Sequence, residues 1–352
     1  MKLSLLPLKK LVAVAAVSAA LPAGHAYAPA PNKVFQGVAT KPVSAYTDEV
    51  HKHPAVYQEF IGWGQWLPGI TQDALTNRAR MMMMVSTRFG SKNEITPQGI
   101  AQGAGDAWLM GLAQQIYQSG NITYMRLMAE MNNCNNAYSA YNCNGSSRGP
   151  AYSAAEFKQA WRRATLIFRG GPVTAIDNEL RKLGMPPLHT NSANLPEAPV
   201  AMVWVPMVGG NPDTAGNEPG AYFPGKRWVD WVGTDFYSRY PNWNGLNTFY
   251  DDYSGYPFAF GEYAIWDGDA PSWASTLFSW VNSHRRTQMM VYNDAGNLFW
   301  LSHFPASAGV IAKSLTNPRY LSYAPEWVPG GTGPTLGALA QQTAADTTTT
   351  PS

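Results

Sequence analysis

Charge and cysteine are both scarce in these 352 residues. Asp, Glu, Lys and Arg make up 14% of the chain, the formal net charge is +2, and there are two cysteines. So weak a charge gives no basic field for nucleic acid and no acidic tail. A structural zinc site needs four Cys or His ligands at matching spacing, and none stand near Cys134 and Cys143. His51-Lys-His53 has no carboxylate partner at ligand spacing, so it reads as a solvated turn, and no metal or organic cofactor is expected. Past the N-terminal region, no stretch approaches 18 apolar residues, so no membrane span is expected. What the chain has in quantity is aromatics: 12%, with 13 Trp and 18 Tyr. These suit either a ring-rich core or platforms on which the C–H faces of sugar rings lie.

The two ends differ from the middle. Residues 1–28 read as a secretory signal: Lys2, Lys9 and Lys10 form a basic start, Leu11 to Leu21 is a short apolar run, and Ala26-Tyr-Ala28 offers a small-x-small cleavage site. The mature chain then starts near Pro29, outside the cell or in the periplasm. In that oxidising setting Cys134 and Cys143 default to a disulfide closing a short Asn-rich loop. From Val328 to Ser352 the chain turns polar and repetitive, ending Thr-Thr-Thr-Thr-Pro-Ser, and reads as a linker or disordered tail. The stretch between, 29–327, is long enough for one large barrel or two ordinary domains.

Two stretches decide between these. Thr123 to Asn133 opens as a buried strand and ends in Glu130, Asn132 and Asn133. Strand parity puts Arg126, Met128 and Glu130 on one face. Tyr256 to Trp266 is a second apolar strand, ending in Glu262. The two glutamates lie 132 positions apart, which fits three βα units of about 30 to 45 residues each. That makes them the ends of strands four and seven of a single (β/α)8 TIM barrel. A structural salt bridge is the bland reading of Arg126 and Glu130. A catalytic acid at the barrel mouth is the sharper one.

The motifs resemble those of glycoside hydrolase family 26, the β-mannanase and lichenase-like family. Arg126-Leu-Met-Ala-Glu-Met-Asn132 is similar to that family's Arg-x-x-His-Glu-Met-Asn. Trp228 to Tyr237 resembles its sixth strand and Phe260-Gly-Glu262 its nucleophile strand; the pattern runs over residues 34–325. The resemblance implies a retaining, endo-acting β-glycanase, with mannan ahead of mixed-linked glucan or xylan. It implies Glu130 as acid/base, Glu262 as nucleophile, a tyrosine at Tyr237 bonded to the nucleophile, and substrate contacts from Arg126 and Asn132. Asp106 and Ala160-Trp-Arg-Arg163 resemble pieces of family helices. Ala129 stands where the family has histidine, and the loop after the acid differs as well. Two other readings remain: a non-catalytic carbohydrate-binding barrel, and a barrel of other chemistry such as a metal-dependent hydrolase. The chain is read as a monomer with polysaccharide as its partner.

The remaining strands are expected at 35–38, 55–63, 80–86, 199–206 and 288–293, with helices at 100–120, 154–168 and 270–284. Ser153, with Glu156 three residues on, marks the start of the middle helix. Met81 to Met84 suits a strand buried on both sides better than copper ligation. Residues 207–226 form a long loop on the active face. Leu298 to Phe304 is a loop or an extra strand. Trp63, Trp66, Trp266 and Trp300 are the candidate sugar platforms, and Trp63 has a second reading as a cap on the barrel core.

Overall fold

The structure is a computed structural model and describes residues 26–39, 42–331, 333 and 334. The stretch from Lys2 to Leu21 and the Thr347 to Ser352 end lie outside them. Eight parallel strands close into a barrel: β1 (Val34–Ala39), β2 (Val56–Gly62), β3 (Arg80–Ser86), β4 (Thr123–Leu127), β5 (Val200–Trp204), β6 (Trp231–Tyr237), β7 (Phe258–Ala264) and β8 (Thr287–Asn293). Pairing of β8 with β1, Phe35 opposite Met289, completes the ring. Helices fill the connections and pack outside, so the expected (β/α)8 fold is the one observed.

Strand residues divide by parity. Met82 belongs to the inner cluster with Tyr124, Ala201, Trp231 and Val291, while Met81 and Met83 face the helices. A strand buried on both faces is the physical reason for the methionine run. The expected helix at 100–120 is broken. Pro97–Ala101 and Asp106–Ser119 are separate helices, because Gly103 takes a left-handed φ of +86° and Gly105 lies against the Trp63 ring. Asp106, next in line, is buried and forms a bidentate pair with Arg163, both contacts at 2.6 Å, which ties the second helix to Ala154–Arg169. Ser153 caps that helix as expected, its Oγ accepting from Glu156 N. Leu298 to Phe304 is not a strand; it holds one 3-10 turn at Leu301–His303. His53 stacks on Tyr323 at 4.3 Å.

The N-terminal side of the barrel is closed by residues expected to be cut away. Tyr27 is buried, and its carbonyl accepts from Arg80 Nη1 (2.6 Å) and Tyr124 OH (2.7 Å). The Ala26 carbonyl accepts from Trp231 Nε1. Cleavage after Ala28 would strip these acceptors from buried donors. A chain begun at Pro29 should therefore be less stable than one begun at Ala26, by about 1–3 kcal/mol, read as a lower urea midpoint. Equal midpoints would show that residues 26–28 add nothing. At the other end, Arg78 donates to the Val328 carbonyl, so the folded body reaches past residue 327. No helix among the described residues is long and apolar enough to cross a membrane.

Candidate active site

The C-terminal mouth of the barrel carries a polar layer. Inward parity brings Gln58 from β2, Arg126 from β4, Asp235 from β6 and Asn293 from β8 to one level, alternate strands supplying one layer as barrels do. Arg126 joins them: Nη1 donates to Gln58 Oε1 (2.7 Å), and Nη2 donates to both oxygens of Asp235 (2.7 and 2.6 Å).

Glu262 enters this layer from an odd strand by a bulge. Thr234 faces Phe260 but Asp235 faces Glu262, so Gly261 is the extra residue. A bulge bends the strand and re-aims the next side chain. The Glu262 carboxylate then accepts from Gln58 Nε2 (3.1 Å), Arg126 Nη1 (2.6 Å), Asn293 Nδ2 (2.9 Å) and the Tyr237 hydroxyl. Burial and the Glu262 charge hold the Tyr237 hydroxyl well above its ordinary pKa, so it stays a donor. Asp235 and Tyr237 do not satisfy each other: one serves Arg126, the other Glu262.

Gly261 is required by space. A Cβ there would stand 2.7 Å from Arg126 Nε, 2.8 Å from its Cζ and 2.9 Å from Asp235 Oδ1. That guanidinium is pinned on both sides and cannot step back. We expect Gly261→Ala to cost about 1–3 kcal/mol and to cut activity more than tenfold through displacement of Arg126; a variant with native midpoint and rate would contradict this packing.

Glu130 reaches the mouth differently from the parity argument. β4 ends at Leu127, and Met128 (φ +51°) and Glu130 (φ +50°) are left-handed, a conformation rare outside glycine. Backbone bonds hold the path: Met128 N to Val85 O (2.8 Å) and Glu130 N to Val205 O (2.7 Å). Glu130 itself is half-buried, with neutral amides beside it, Asn133 Nδ2 at 2.9 Å from Oε2 and Asn136 bonded to its carbonyl. Burial pushes the Glu130 carboxyl above its ordinary value. Asn133 opposes the rise and the charge of Glu262 adds to it. Asp235 and Glu262 both pair with Arg126, whereas Glu130 has no ion-pair partner among the described residues, so burial and the neighbouring charge of Glu262 favour its protonated form.

Several expected contacts resolve into supports. Arg126 is fully buried and committed to Gln58, Asp235 and Glu262; it positions the site and is closed to a ligand. Asn132 is also fully buried: Nδ2 donates to Met207 O (3.0 Å) and Oδ1 accepts from Met207 N (2.9 Å), so both ends of its amide fasten the long loop. Trp63 is 6% exposed and packs on Trp108 at 4.6 Å, which makes it the core cap. Trp66 is 80% exposed. Trp266 is half-buried among Tyr237, Tyr240 and Phe299, and Trp300 is 44% exposed. Ala129 is buried in the inner apolar cluster and brings no polar group to the mouth. Cys134 and Cys143 are bridged, Cα to Cα 5.0 Å, directly behind Glu130. Gln58, Asn293 and Tyr138, whose hydroxyl donates to Ala129 O, were not singled out from sequence. A polar side chain at inward parity in an apolar strand is the signal that Gln58 and Asn293 carried.

No protein-family model matches the sequence, and neither does any curated protein. Solved structures do. A mannanase from Bacillus subtilis is 14% identical with a TM-score of 0.53, over 89% of this chain and 92% of that one. A family 26 β-mannanase from Bacteroides ovatus is 13% identical with a TM-score of 0.51, over 82% and 90%. A β-mannanase from a symbiotic protist of the termite Reticulitermes speratus, solved with a gluco-manno-oligosaccharide, is 12% identical with a TM-score of 0.51, over 84% and 95%. The chain has the fold of these mannanases.

Proposed function

We propose that this chain is a secreted, retaining glycoside hydrolase that cuts β-linked polysaccharide within the chain, with β-1,4-mannan favoured. One observation carries the reading: at a single barrel mouth, Glu262 is held by four donors including a guanidinium, while Glu130 has only neutral amides. An anion and a proton donor side by side are what double displacement needs. Glu262 attacks the anomeric carbon while Glu130 gives its proton to the departing oxygen, leaving a glycosyl-enzyme ester. Glu130, now a carboxylate, takes a proton from water, and the hydroxyl displaces Glu262. Arg126 and Tyr237 hold Glu262 in line, and Asp235 balances the charge of Arg126. The shared fold of the mannanases supports the choice of mannan, and the leader with the bridged cysteines supports export.

The test is release of reducing ends from β-mannan, mixed-linked β-glucan and xylan, with a rapid fall in viscosity marking cuts inside the chain. No product from any β-glycan would sink the proposal. Ala129 favours a second reading, a carbohydrate-binding barrel without turnover, because no polar side chain stands where the family histidine would. Retention on one of these glycans with no product would select it.

A further inference from the structure

The turn that aims Glu130 is held on two sides. Its N–H groups go to neighbouring strands, Met128 N to Val85 O and Glu130 N to Val205 O. Its carbonyls go to the loop that the Cys134–Cys143 bridge closes. The Ala129 carbonyl accepts from the Tyr138 hydroxyl, and the Glu130 carbonyl from Asn136 Nδ2 at 3.0 Å. The loop is itself tied off from beyond the bridge: Arg148 Nη1 donates to Asn136 O at 2.6 Å, and Nη2 donates to Cys134 O. Met128 and Glu130 keep a left-handed φ that neither side chain favours. Such a path persists only while bonds on both sides over-determine it.

Tyr138 occupies the decisive place in this clamp. The Ala129 carbonyl and the Glu130 N–H belong to one planar peptide unit. The Tyr138 hydroxyl holds one edge of that plane and the Val205 carbonyl the other. Rotation of the plane would swing the Glu130 side chain away from its aim. Tyr138 is 1% exposed and belongs to the apolar cluster packed between strands and helices, so no substrate reaches it. Burial and the Glu130 charge hold its hydroxyl well above the ordinary tyrosine value, so it stays a donor. We infer that Tyr138 is a positioning residue for the acid/base: backed by the bridged loop, it locks the Ala129–Glu130 peptide plane and holds the Glu130 carboxyl where the leaving oxygen departs. The inference rests on the hydrolase reading for the role of Glu130. A proton donor works within about 2.6–3.2 Å of its target, and a misplacement of about 1 Å can cost 10^2-fold in rate.

Tyr138→Phe removes one oxygen and keeps the ring. On the β-glycan that the parent cuts, kcat/KM should fall about 10- to 100-fold, through kcat with KM little changed. On an aryl glycoside with an acidic phenol, kcat/KM should stay within about twofold, because that constant ends at formation of the glycosyl-enzyme and the phenol leaves without a proton. Azide should raise kcat of the variant on the aryl substrate far more than that of the parent, since base help to water is weakened as well. The bridge supplies a second measurement. Cys143 is exposed, so dithiothreitol can reduce it in the folded protein, the reagent's two thiols closing to a cyclic disulfide as the two cysteines become thiols. Reduction should reproduce the selective loss in the parent and add little in Tyr138→Phe, as expected of two changes acting through one contact. If Tyr138→Phe does not fold, reduction of the parent decides alone. Losses of equal size on the two substrates, or an unchanged rate on polysaccharide, would overturn the positioning role and leave the hydrolase reading standing. A parent that cuts no β-glycan would remove the hydrolase reading, and this inference with it.

Discussion

Glu262→Ala should lose kcat on the order of 10^5-fold on both polysaccharide and aryl glycoside, the scale on which removal of a covalent nucleophile acts. No ester can form without it, and no other carboxylate can take its place: Asp235 is chelated by Arg126 on both oxygens. The fold should survive. The site sits at the solvent mouth, and the Arg126–Asp235 pair that remains is neutral overall. Added azide should enter the vacated space and attack the anomeric carbon of an aryl glycoside directly, giving a glycosyl azide of inverted configuration. Native-like near-UV circular dichroism with lost activity is the expected result. Retained activity on a substrate that the parent cleaves would place the nucleophile elsewhere.

The barrel was legible because its signals are redundant. Eight short apolar runs recur in order, and the glutamates fall at the ends of two of them; errors of one or two residues at strand ends do not disturb that count. The disulfide was legible for a similar reason, as two cysteines nine positions apart leave one pairing. What stayed hidden depends on tertiary closure. Nothing in Leu127-Met-Ala-Glu130 announces two left-handed residues, since neither Met nor Glu favours that region; the turn is imposed by bonds to Val85 and Val205 on neighbouring strands. The face argument for Arg126, Met128 and Glu130 failed there, yet Glu130 still reached the mouth.

Roles were harder to read than positions. Arg126 and Asn132 belong to the motif, and a motif residue is easily taken for a ligand contact. Their burial shows that they hold other parts of the site. Gly261 carried a sign that was available in the sequence: a glycine inside an apolar strand marks a bulge or a close approach, and here it marks both.

Glu130→Ala should separate the two halves of the reaction. With polysaccharide, whose leaving oxygen must be protonated, the loss should be about 10^2 to 10^4-fold, the usual contribution of a positioned proton donor. An aryl glycoside with an acidic phenol needs little protonation, so its first step should be much less affected and the glycosyl-enzyme should accumulate as a burst. Azide should then restore turnover, because it attacks the ester without help from a base. That product keeps the configuration of the substrate, since the anomeric carbon is inverted twice, in contrast to the azide product of Glu262→Ala. The pH dependence follows from the same group. Burial and Glu262 raise the Glu130 carboxyl above its ordinary value, so the proton needed for the first step is present below that raised value and lost as pH climbs through it. The parent should show this as a falling alkaline limb in kcat/KM, and Glu130→Ala should lack the limb on the aryl substrate. Equal losses on both substrates, no effect of azide and an unchanged alkaline limb would together assign the acid to another residue.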